Sequence, residues 1–454
     1  MNNNLCHFLT LVSLLIFTIS SIPLLAQHEG HDMPVESQDV VDTMPPMSHA
    51  FSLSLPMSRN GSGTGWLPDA SPMYGYMVHS DQWMYMFHGN IFLRYNDQDV
   101  TNKGDRGDNI FDAPNWLMAM GQRRVGRRGL FRFSAMFSLD DVITGGSGYP
   151  LLFQSGETFE GQRLVDRQHP HDLISELSIG YTHMVNQHID VFGYLAYPGE
   201  PALGPVAFMH RPSALNNPDA GLGHHWQDAT HIIFGVATAG LRYKQFKVEG
   251  SLFTGREPDE NRYNLDKPRF DSYSARVSYN PTENYALQIS RAYIRSPEML
   301  EPDEDVIRTT ASVIQAKHLG KENFYLTSAL VWGFNDKGDD HQEHSVSLEG
   351  NLQLDKTAIY SRYEWVQKSP EELALTDFDD HELFNVNAIT LGVNQTIFRS
   401  FQTSFSLGVQ GSLFMADDRL DPFYGNNPLS FEVYLRISPH LMRMGSARHG
   451  GSHH

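Results

Sequence analysis

The chain has 454 residues, of which 34 are basic and 53 acidic, and its formal net charge is −19. This acidic balance argues against a nucleic-acid partner, because such partners select basic surfaces. A mean hydropathy of −0.38 does not exclude a membrane, since a transmembrane β-barrel alternates lipid-facing and lumen-facing residues. The residue-by-residue pattern therefore decides the class of fold.

The first 26 residues have the pattern of a secretory signal. An apolar run from Phe8 to Leu25 ends in the small residue Ala26, directly before polar sequence. The run is close to the length of a membrane helix, so an uncleaved anchor is the alternative interpretation. We predict cleavage after Ala26, which removes Cys6, the single cysteine of the chain. The exported mature protein then contains neither disulfides nor thiolate metal ligands.

Residues 27–80 follow as a predicted periplasmic leader that is rich in histidine and methionine. Its first part has little apolar sequence and is predicted to be disordered. Thioether and imidazole groups together favour copper, especially Cu(I), or silver; the alternative is an ordinary flexible tail. The candidate metal ligands of the leader are His28, His31 and Met33. A second His/Met-rich periplasmic tail is predicted at residues 439–454.

Residues 81–438 contain a ladder of segments in which apolar and polar residues alternate. In SFEVYLRIS, for example, Phe431, Val433 and Leu435 point one way and the residues between them the other. Strict alternation indicates strands with one apolar face, and strands of about 9–11 residues suit a tilted bilayer crossing. About sixteen such segments begin near Gln82, Pro114, Gly129, Asp172, His188, His231, Phe246, Phe270, Asn284, Val306, Asn323, His344, Thr357, Leu383, Phe401 and Pro428.

The connections between these segments alternate in length. Short ones such as RVGRR, VNQ and YKQ alternate with long ones such as residues 140–171 and 197–230. Short periplasmic turns and long external loops are typical of outer-membrane barrels, whereas a soluble β-sandwich or propeller, the alternative, does not explain this alternation. We therefore predict an all-β, transmembrane antiparallel β-barrel of about sixteen strands with a disordered N-terminal leader. It would contact lipid in the outer membrane of a Gram-negative bacterium.

Two motifs concentrate histidine and aspartate just before the predicted fourth and sixth strands. The motif DRQHPHD ends at Asp172, and the motif LGHHWQDATH ends at His231. Both end where a strand re-enters the barrel, so two loops are predicted to meet at or inside its mouth. Neutral imidazoles with a carboxylate suit zinc, copper or nickel. His210 lies in the same long loop as the second motif. With it, the candidate metal ligands of the two loops are His169, His171, Asp172, His210, His224, His225, Asp228 and His231.

Two other interpretations of these motifs stay open. In the first, the histidines and aspartates form a polar network with Arg167 that holds the loops inside a wide lumen, because buried polar groups need partners. In the second, they form the metal centre of an outer-membrane hydrolase, with Glu200 as an available general base. No sequential metal-enzyme signature such as H-E-x-x-H is present, so an enzyme is the less favoured hypothesis.

The first predicted strand turns an unusual row of side chains toward the lumen. In WMYMFHGNIFLR, the residues on that face include Met84, Met86 and His88, which are the remaining candidate metal ligands. A path of soft ligands along one wall is one interpretation. Gap-filling beneath a plug is the other.

The segments MSRNGSGTGWLPDASPMYGYM, DRQHPHDLISELSIGYTH, GEPALGPVAFMHRPSALNNP and HHWQDATHIIFGVATAGLRY resemble a family of bacterial outer-membrane β-barrel proteins without an assigned activity. The resemblance is close from about Met57 to Tyr293 and loose in the later strands. It implies the barrel fold and brings no reaction with it. The leader is more distantly similar in composition to copper-resistance protein B, an outer-membrane barrel, and this similarity transfers no residue roles.

The sequence thus predicts a barrel that binds or passes a small solute. The favoured cargo is copper or a similar metal ion such as zinc, in metal homeostasis or resistance. An outer-membrane hydrolase and a general diffusion porin are the alternative hypotheses. The sequence leaves open whether the barrel assembles as a homo-oligomer.

Overall fold

The computed structural model describes residues 51–442 with four exceptions, which are Glu322, Asp339, Asp340 and Asp380. The predicted signal peptide, the candidate ligands His28, His31 and Met33, and the tail from residue 443 onward lie outside the described residues. Within the described ranges, no helix is long and apolar enough to cross a membrane.

Twenty strands, three short α-helices and four 3-10 turns are present in the described residues. The strands are β1 (Tyr76–His79), β2 (Met84–Asp97), β3 (Asn109–Asp112), β4 (Asn115–Val125), β5 (Gly129–Phe137), β6 (Tyr149–Phe159), β7 (Gln162–Gln168), β8 (Ile174–Asn186), β9 (Ile189–Ala196), β10 (Val236–Tyr243), β11 (Phe246–Phe253), β12 (Ser272–Thr282), β13 (Tyr285–Ile294), β14 (Val306–His318), β15 (Phe324–Asp336), β16 (Gln342–Leu354), β17 (Thr357–Lys368), β18 (Phe384–Ser400), β19 (Thr403–Ala416) and β20 (Leu429–Pro439). The helices are α1 (Asp140–Thr144), α2 (His224–Gln227) and α3 (Asp421–Tyr424), and the 3-10 turns span Met57–Arg59, Phe208–His210, Ala229–His231 and Asp418–Leu420.

Eighteen of the strands form one antiparallel sheet that closes on itself, and β6 and β7 form a separate hairpin. The seam is the pairing of β2 with β20, from Ile91 opposite Ile437 to Asp97 opposite Phe431. β3 and β4 both pair with β2 and share one position in the wall, whereas β1 pairs with the start of β2, in line with β20. The sheet has eighteen strands. When β1 is left out and β3 and β4 are counted as one, the wall has sixteen. The predicted sixteen-stranded antiparallel barrel is confirmed.

The wall has an apolar outer face and a polar inner face. Along β11, Val248 and Leu252 are 54% and 57% exposed, whereas Lys247 and Glu249 are buried. The same alternation, with apolar side chains exposed and many polar ones buried, recurs in the other wall strands. An apolar exterior around a polar interior is what a bilayer-spanning barrel requires. The wall therefore spans the outer membrane with its apolar face against lipid.

The connections alternate in length around the barrel, as predicted. Short turns, such as residues 126–128, 187–188 and 244–245, lie at one end of the barrel, called here the turn end. Long loops, above all residues 138–173 and 197–235, lie at the other end, called the loop end. β2 begins and β20 ends at the turn end, so the turn end is expected to face the periplasm.

Residues 51–75, called here the N-terminal segment, lie inside the lumen. Arg132 of β5 donates to the carbonyl of Gly63 at 3.0 Å. Arg276 of β12 donates to Oγ1 of Thr64 at 2.8 Å, and Thr64 has no exposed surface. Both arginines are inward-facing side chains of the wall, so the segment lies in the lumen. Arg132 follows closely after the turn at residues 126–128, and the segment therefore occupies the turn half of the lumen.

This placement moves a boundary that the sequence suggested. The predicted leader extends to residue 80, but its part from Phe51 to Gly75 packs within the lumen, and residues 76–79 form β1. The N-terminal segment has no strand periodicity, and its burial depends on contacts with distant wall residues, which local sequence does not reveal. Residues 27–50 lie outside the described residues, and for them the leader stays a prediction.

The β9–β10 loop, residues 197–235, folds into the lumen from the loop end. Its Arg211 donates to Glu349 of β16 at 2.6 Å, and its Asp219 accepts from Arg94 of β2 at 2.5 Å. These buried ion pairs tie the loop to two separate parts of the wall. The N-terminal segment and the β9–β10 loop together occupy the lumen.

The β5–β8 loop, residues 138–173, also turns inward and carries α1 and the β6–β7 hairpin. Phe153 of this hairpin stacks on Tyr424 of α3 with ring centroids 4.0 Å apart. Leu152 and Trp226 belong to the same buried apolar cluster. The principal apolar core therefore lies within the barrel, between the folded loops, and it holds those loops at fixed positions.

Candidate functional site

Five histidines from two loops come together in the lumen, and they are called here the histidine cluster. They are His169 and His171 of the β5–β8 loop and His224, His225 and His231 of the β9–β10 loop. The helix α2 begins at His224, and the following 3-10 turn ends at His231. The fold thus brings together five of the ligands that the sequence suggested.

The rings of the cluster are neighbours. The ring centroids of His224 and His231 are 5.1 Å apart, and those of His171 and His231 are 5.5 Å apart. Two imidazoles on one tetrahedral ion have centroids about 5 Å apart, given metal–nitrogen bonds of about 2 Å. No group of three or more His, Cys, Asp or Glu side chains in the described part of the chain already forms a metal-binding arrangement. The rings must therefore turn about their side-chain bonds to share an ion.

Oxygen atoms lie at Nδ1 of three of the rings. Oδ2 of Asp140 is 2.7 Å from Nδ1 of His171. Asp228 serves two rings, with Oδ1 2.7 Å from Nδ1 of His224 and its carbonyl oxygen 2.8 Å from Nδ1 of His231. An oxygen at Nδ1 selects the tautomer that leaves Nε2 free as a ligand nitrogen. The surroundings therefore orient these imidazoles in the way that metal sites do.

The other two rings have looser carboxylate neighbours. Nδ1 of His169 lies 3.2 Å from Oε1 of Glu157. Nδ1 of His225 lies 3.6 Å from Oε1 of Glu257, which is longer than a hydrogen bond. These two rings are consequently less firmly oriented than the three above.

Three imidazole nitrogens of the cluster have no partner. Nε2 of His171, His225 and His231 is buried and has no hydrogen-bond partner within the described residues. Buried polar atoms are normally paired, so each exception requires an explanation. These three atoms are the available ligand atoms of the cluster.

A buried ion-pair network surrounds Asp228. Arg211 donates to Oδ2 of Asp228 at 2.6 Å and to Glu349 at 2.6 Å. Although burial acts to raise it, the Arg211 charge and the His224 hydrogen bond hold the pKa of Asp228 below its usual value. Asp228 is therefore ionised and orients His224 through their hydrogen bond, and its role as a direct ligand stays a prediction.

Burial keeps most of the cluster neutral, because a charged imidazole loses its hydration there. Burial lowers the pKa of His224 against the opposing Asp228 hydrogen bond. Burial also lowers the pKa of His169 and of His231 well below its ordinary value. His225 is the exception, because neighbouring Glu257 raises its pKa although burial acts to lower it. Neutral imidazole is the form that binds a metal ion.

Two of the suggested ligands lie apart from the histidine cluster. Asp172 accepts from Arg262 at 3.5 Å, and burial raises the pKa of Asp172 to about 7. His210 packs on Trp116 with ring centroids 4.5 Å apart, and burial lowers the pKa of His210 to about 3. Asp172 is thus the partner of an arginine, and His210 belongs to a different part of the lumen.

That second part of the lumen is a cavity of about 110 Å³, called here the methionine cavity. The suggested ligands Met84, Met86 and His88 of β2 line it together with His210. Five other methionines of its wall were not among the suggested ligands, and they are Met57, Met73, Met118, Met120 and Met209. The alternation in NWLMAMGQ could have indicated two of them, Met118 and Met120, as lumen-facing, whereas the other three meet only in the fold.

Glu200 is the residue that was considered as the general base of a hydrolase. Its described contacts are with residues other than the histidine cluster. It packs against Gly63 of the N-terminal segment, and its Oε1 lies 4.0 Å from a guanidinium nitrogen of Arg276. Burial raises the pKa of Glu200 to about 8. The hydrolase hypothesis therefore gains no positioned general base from this residue.

Comparison with protein-family models and with curated proteins finds no match. Among solved structures, the trimer form of OmpT, an outer-membrane protein of Vibrio cholerae, is similar at 10% identity and a TM-score of 0.45, over 79% of this chain and 100% of that one. OmpF of Salmonella typhi is similar at 10% identity and a TM-score of 0.48, over 80% of this chain and 99% of that one. An anion-selective porin from Comamonas acidovorans is similar at 12% identity and a TM-score of 0.46, over 79% and 99%.

The closed sixteen-strand wall, its apolar exterior and its polar lumen decide the class of the protein. The chain is a porin-like outer-membrane β-barrel. The similarity of the leader to copper-resistance protein B has no counterpart in these comparisons and stays an expectation. Assembly of this porin-like barrel into a homo-oligomer also stays a prediction.

Proposed function

We propose that this porin-like barrel binds and passes a small solute through the histidine cluster, and that the solute is copper or a similar metal ion. The observation that carries the proposal is a set of three buried Nε2 atoms, on His171, His225 and His231, that have no hydrogen-bond partner among the described residues. Imidazole nitrogen is a preferred ligand of copper and zinc. A metal ion in transit would supply the partner that these atoms lack.

A purely structural network is the competing explanation for the cluster. Such a network would pair each buried nitrogen, since leaving one unpaired costs about 1–3 kcal/mol. The oxygens of Asp140 and Asp228 meet this requirement at Nδ1 of their histidines. They do not meet it at Nε2. The network therefore orients the rings but leaves the three Nε2 atoms without a hydrogen bond from the described residues. This arrangement favours a ligand-binding role.

General diffusion is the alternative function, and the folded segments in the lumen bear on it. The β9–β10 loop is held to the wall by the buried ion pairs of Arg211 with Glu349 and of Arg94 with Asp219. Removing one partner of such a pair typically costs about 3–5 kcal/mol. A passage that uses side-chain ligands between fixed segments fits this arrangement better than a wide water-filled channel.

Binding of Cu(II) and Zn(II) to the folded mature barrel tests the proposal. We expect the His171→Ala/His225→Ala variant to bind at least about 10-fold more weakly, because it lacks two ligands. A matched control is His183→Ala/His188→Ala, since both of these histidines are exposed near the β8–β9 turn. Deleting residues 27–50 from each protein separates binding by the leader from binding by the cluster.

Passage is tested with vesicles that contain the purified barrel and an enclosed metal indicator. Metal uptake that fails in the cluster variant and continues in the control supports selective passage. Equal uptake of the metal ion and of an uncharged sugar would indicate general diffusion and contradict the proposal. If none of the proteins binds metal above background, the histidines serve as loop scaffolding.

A further inference from the structure

The methionine cavity lies between the N-terminal segment, β2, β4 and the β9–β10 loop. Strand register places Met86 opposite Met120 and His88 opposite Met118. Directly opposed side chains on neighbouring strands have Cβ atoms about 4.5–5.5 Å apart, so these four residues share one patch of the wall. Met209 of the β9–β10 loop packs in the same apolar cluster as Met118 and Met120. Thioether groups therefore face the cavity from the wall and from the loop.

Two imidazoles complete this set of side chains. The ring centroids of His88 and His210 are 5.7 Å apart. Trp116 packs against both rings, with centroid separations of 5.2 Å and 4.5 Å. Nε2 of His88 is buried and finds no hydrogen-bond partner in the part of the chain that the structure describes. A ligand nitrogen is thus held beside the thioethers with its lone pair unused.

The chemistry of the lining selects the kind of ion. No aspartate, glutamate or cysteine is present among the described residues that line the cavity, whereas Arg132 and Arg436 are among them. Hard divalent ions need oxygen ligands, mostly carboxylates, whereas thioether and imidazole suit Cu(I). Beside two guanidinium groups, a single positive charge is repelled less than a double one. The lining therefore disfavours the hard ions Ca(II) and Mg(II), and its positive surroundings favour a monovalent ion over Zn(II).

Gap-filling is the ordinary role of methionine in a core. Here the thioethers border free space of about 110 Å³ instead of closing it. The unpartnered Nε2 of His88 is a second observation that gap-filling leaves without an explanation. A ligand in the cavity accounts for both.

We propose that the methionine cavity is a second metal site, specific for a soft monovalent cation, Cu(I) or Ag(I). Met86, His88, Met118 and Met120 hold the ion from the wall, and Met209 closes the site from the loop. This inference deepens the proposed function and rests on it only for the route by which the ion arrives, since binding to the purified barrel is measured directly.

Titration of the folded, full mature chain with Ag(I) tests the site. The variant Met118→Leu/Met120→Leu removes two thioethers at nearly constant volume, so the barrel should still fold. We expect it to bind one Ag(I) fewer than wild type, or to bind that ion at least about 10-fold more weakly. Met299→Leu is the matched control, because Met299 is exposed in the β13–β14 loop, and it should bind as wild type does.

A second variant and a second metal locate the effect. The single change Met86→Leu should weaken the binding of the same Ag(I) ion. This variant replaces Met118→Leu/Met120→Leu in the test if the double variant does not fold. The cluster variant His171→Ala/His225→Ala should keep this ion, so failure of the histidine cluster and failure of the cavity are distinguishable. Unchanged Ag(I) binding in both Met→Leu variants, an equal loss in Met299→Leu, or Zn(II) binding lost with the same thioethers would overturn the proposal.

Discussion

The guanidinium of Arg211 donates to Oδ2 of Asp228 at 2.6 Å, which leaves Oδ1 of the same carboxylate 2.7 Å from Nδ1 of His224. Arg211 also binds Glu349 on the inner face of β16. One arginine therefore fixes the β9–β10 loop to the wall and, through Asp228, the orientation of a histidine. Anchoring of the loop and geometry of the histidine cluster are coupled.

Replacing Arg211 should disturb both the anchoring of the β9–β10 loop and the geometry of the histidine cluster. In Arg211→Met, the buried carboxylates of Asp228 and Glu349 lose the guanidinium that they share, and removing one partner of a buried ion pair typically costs about 3–5 kcal/mol. We expect faster proteolysis of the β9–β10 loop and weaker Zn(II) binding. The control is Arg419→Met, because Arg419 is 46% exposed in its side chain, and exposed pairs contribute at most about 1 kcal/mol. Similar proteolysis of the two variants would show that the buried pairs do not anchor the loop.

The N-terminal segment should loosen as the pH rises. Burial raises the pKa of Glu200 to about 8, although the Arg276 charge opposes the shift. In a detached, hydrated state the carboxyl pKa returns to about 4.3. The packed state then holds a proton that the detached state releases, so packing is strongest below about pH 4.3 and weakens until the pH passes about 8.

Hydrogen exchange of the N-terminal segment, corrected for its intrinsic pH dependence, measures this loss of packing. Protection should fall as the pH increases from about 5 to about 8. Glu200→Gln is neutral at every pH and should remove the dependence. A Glu200→Gln protein with the same pH profile as wild type would assign the effect to another group.

A methyl group at position 63 should displace the N-terminal segment. The Cβ of Gly63→Ala would lie 2.8 Å from Cβ of Glu200, whereas a Cβ at Gly126 would have no neighbour within 4 Å. The two glycines have similar positive φ angles, 52° and 62°, so both substitutions strain the backbone. We expect only Gly63→Ala to raise the ionic conductance of single barrels in planar bilayers. Equal conductance changes would indicate that strain, and not the clash, is responsible.

Removing the N-terminal segment should open the turn half of the lumen. Deletion of residues 27–75 leaves Lys247 and Arg276 of the wall without their contacts to Thr64. We expect a large rise in conductance with this deletion and none with deletion of residues 27–50, which spares the segment. A sealed barrel after the longer deletion would show that the inward-folded loops close the lumen without the N-terminal segment.

The wall was predictable because alternation is a local property. The predicted starts at Gly129, Phe246, Val306 and Thr357 are the observed ones, since each begins a clean period-two pattern. The sixth strand was placed near His231 but begins at residue 236, because a 3-10 turn ends at His231 and residues 232–235 still belong to the loop. Boundary errors of this kind arise where a loop approaches the wall in an extended form.

The contents of the lumen were less predictable, because they depend on contacts between distant parts of the chain. The meeting of His171 with His231 followed from two motifs that each precede a strand. The pairing of Asp172 with Arg262, 90 residues away, has no local signal. The burial of the N-terminal segment has no local signal either, because its composition resembles that of a flexible leader. The segment is buried through contacts with cationic side chains of the lumen, which are distant in the sequence.

The seam of the barrel joins its first and last wall strands, because β2 pairs with β20. The N-terminal segment enters just before this seam, and its Tyr74 forms a backbone bridge with Leu441, directly after β20. During biogenesis this clasp is absent until β20 has been added to the sheet. A chain truncated before Leu429 would therefore lack both the seam and the clasp. Adding β20 to the sheet therefore closes the seam and also fixes the end of the N-terminal segment at Tyr74.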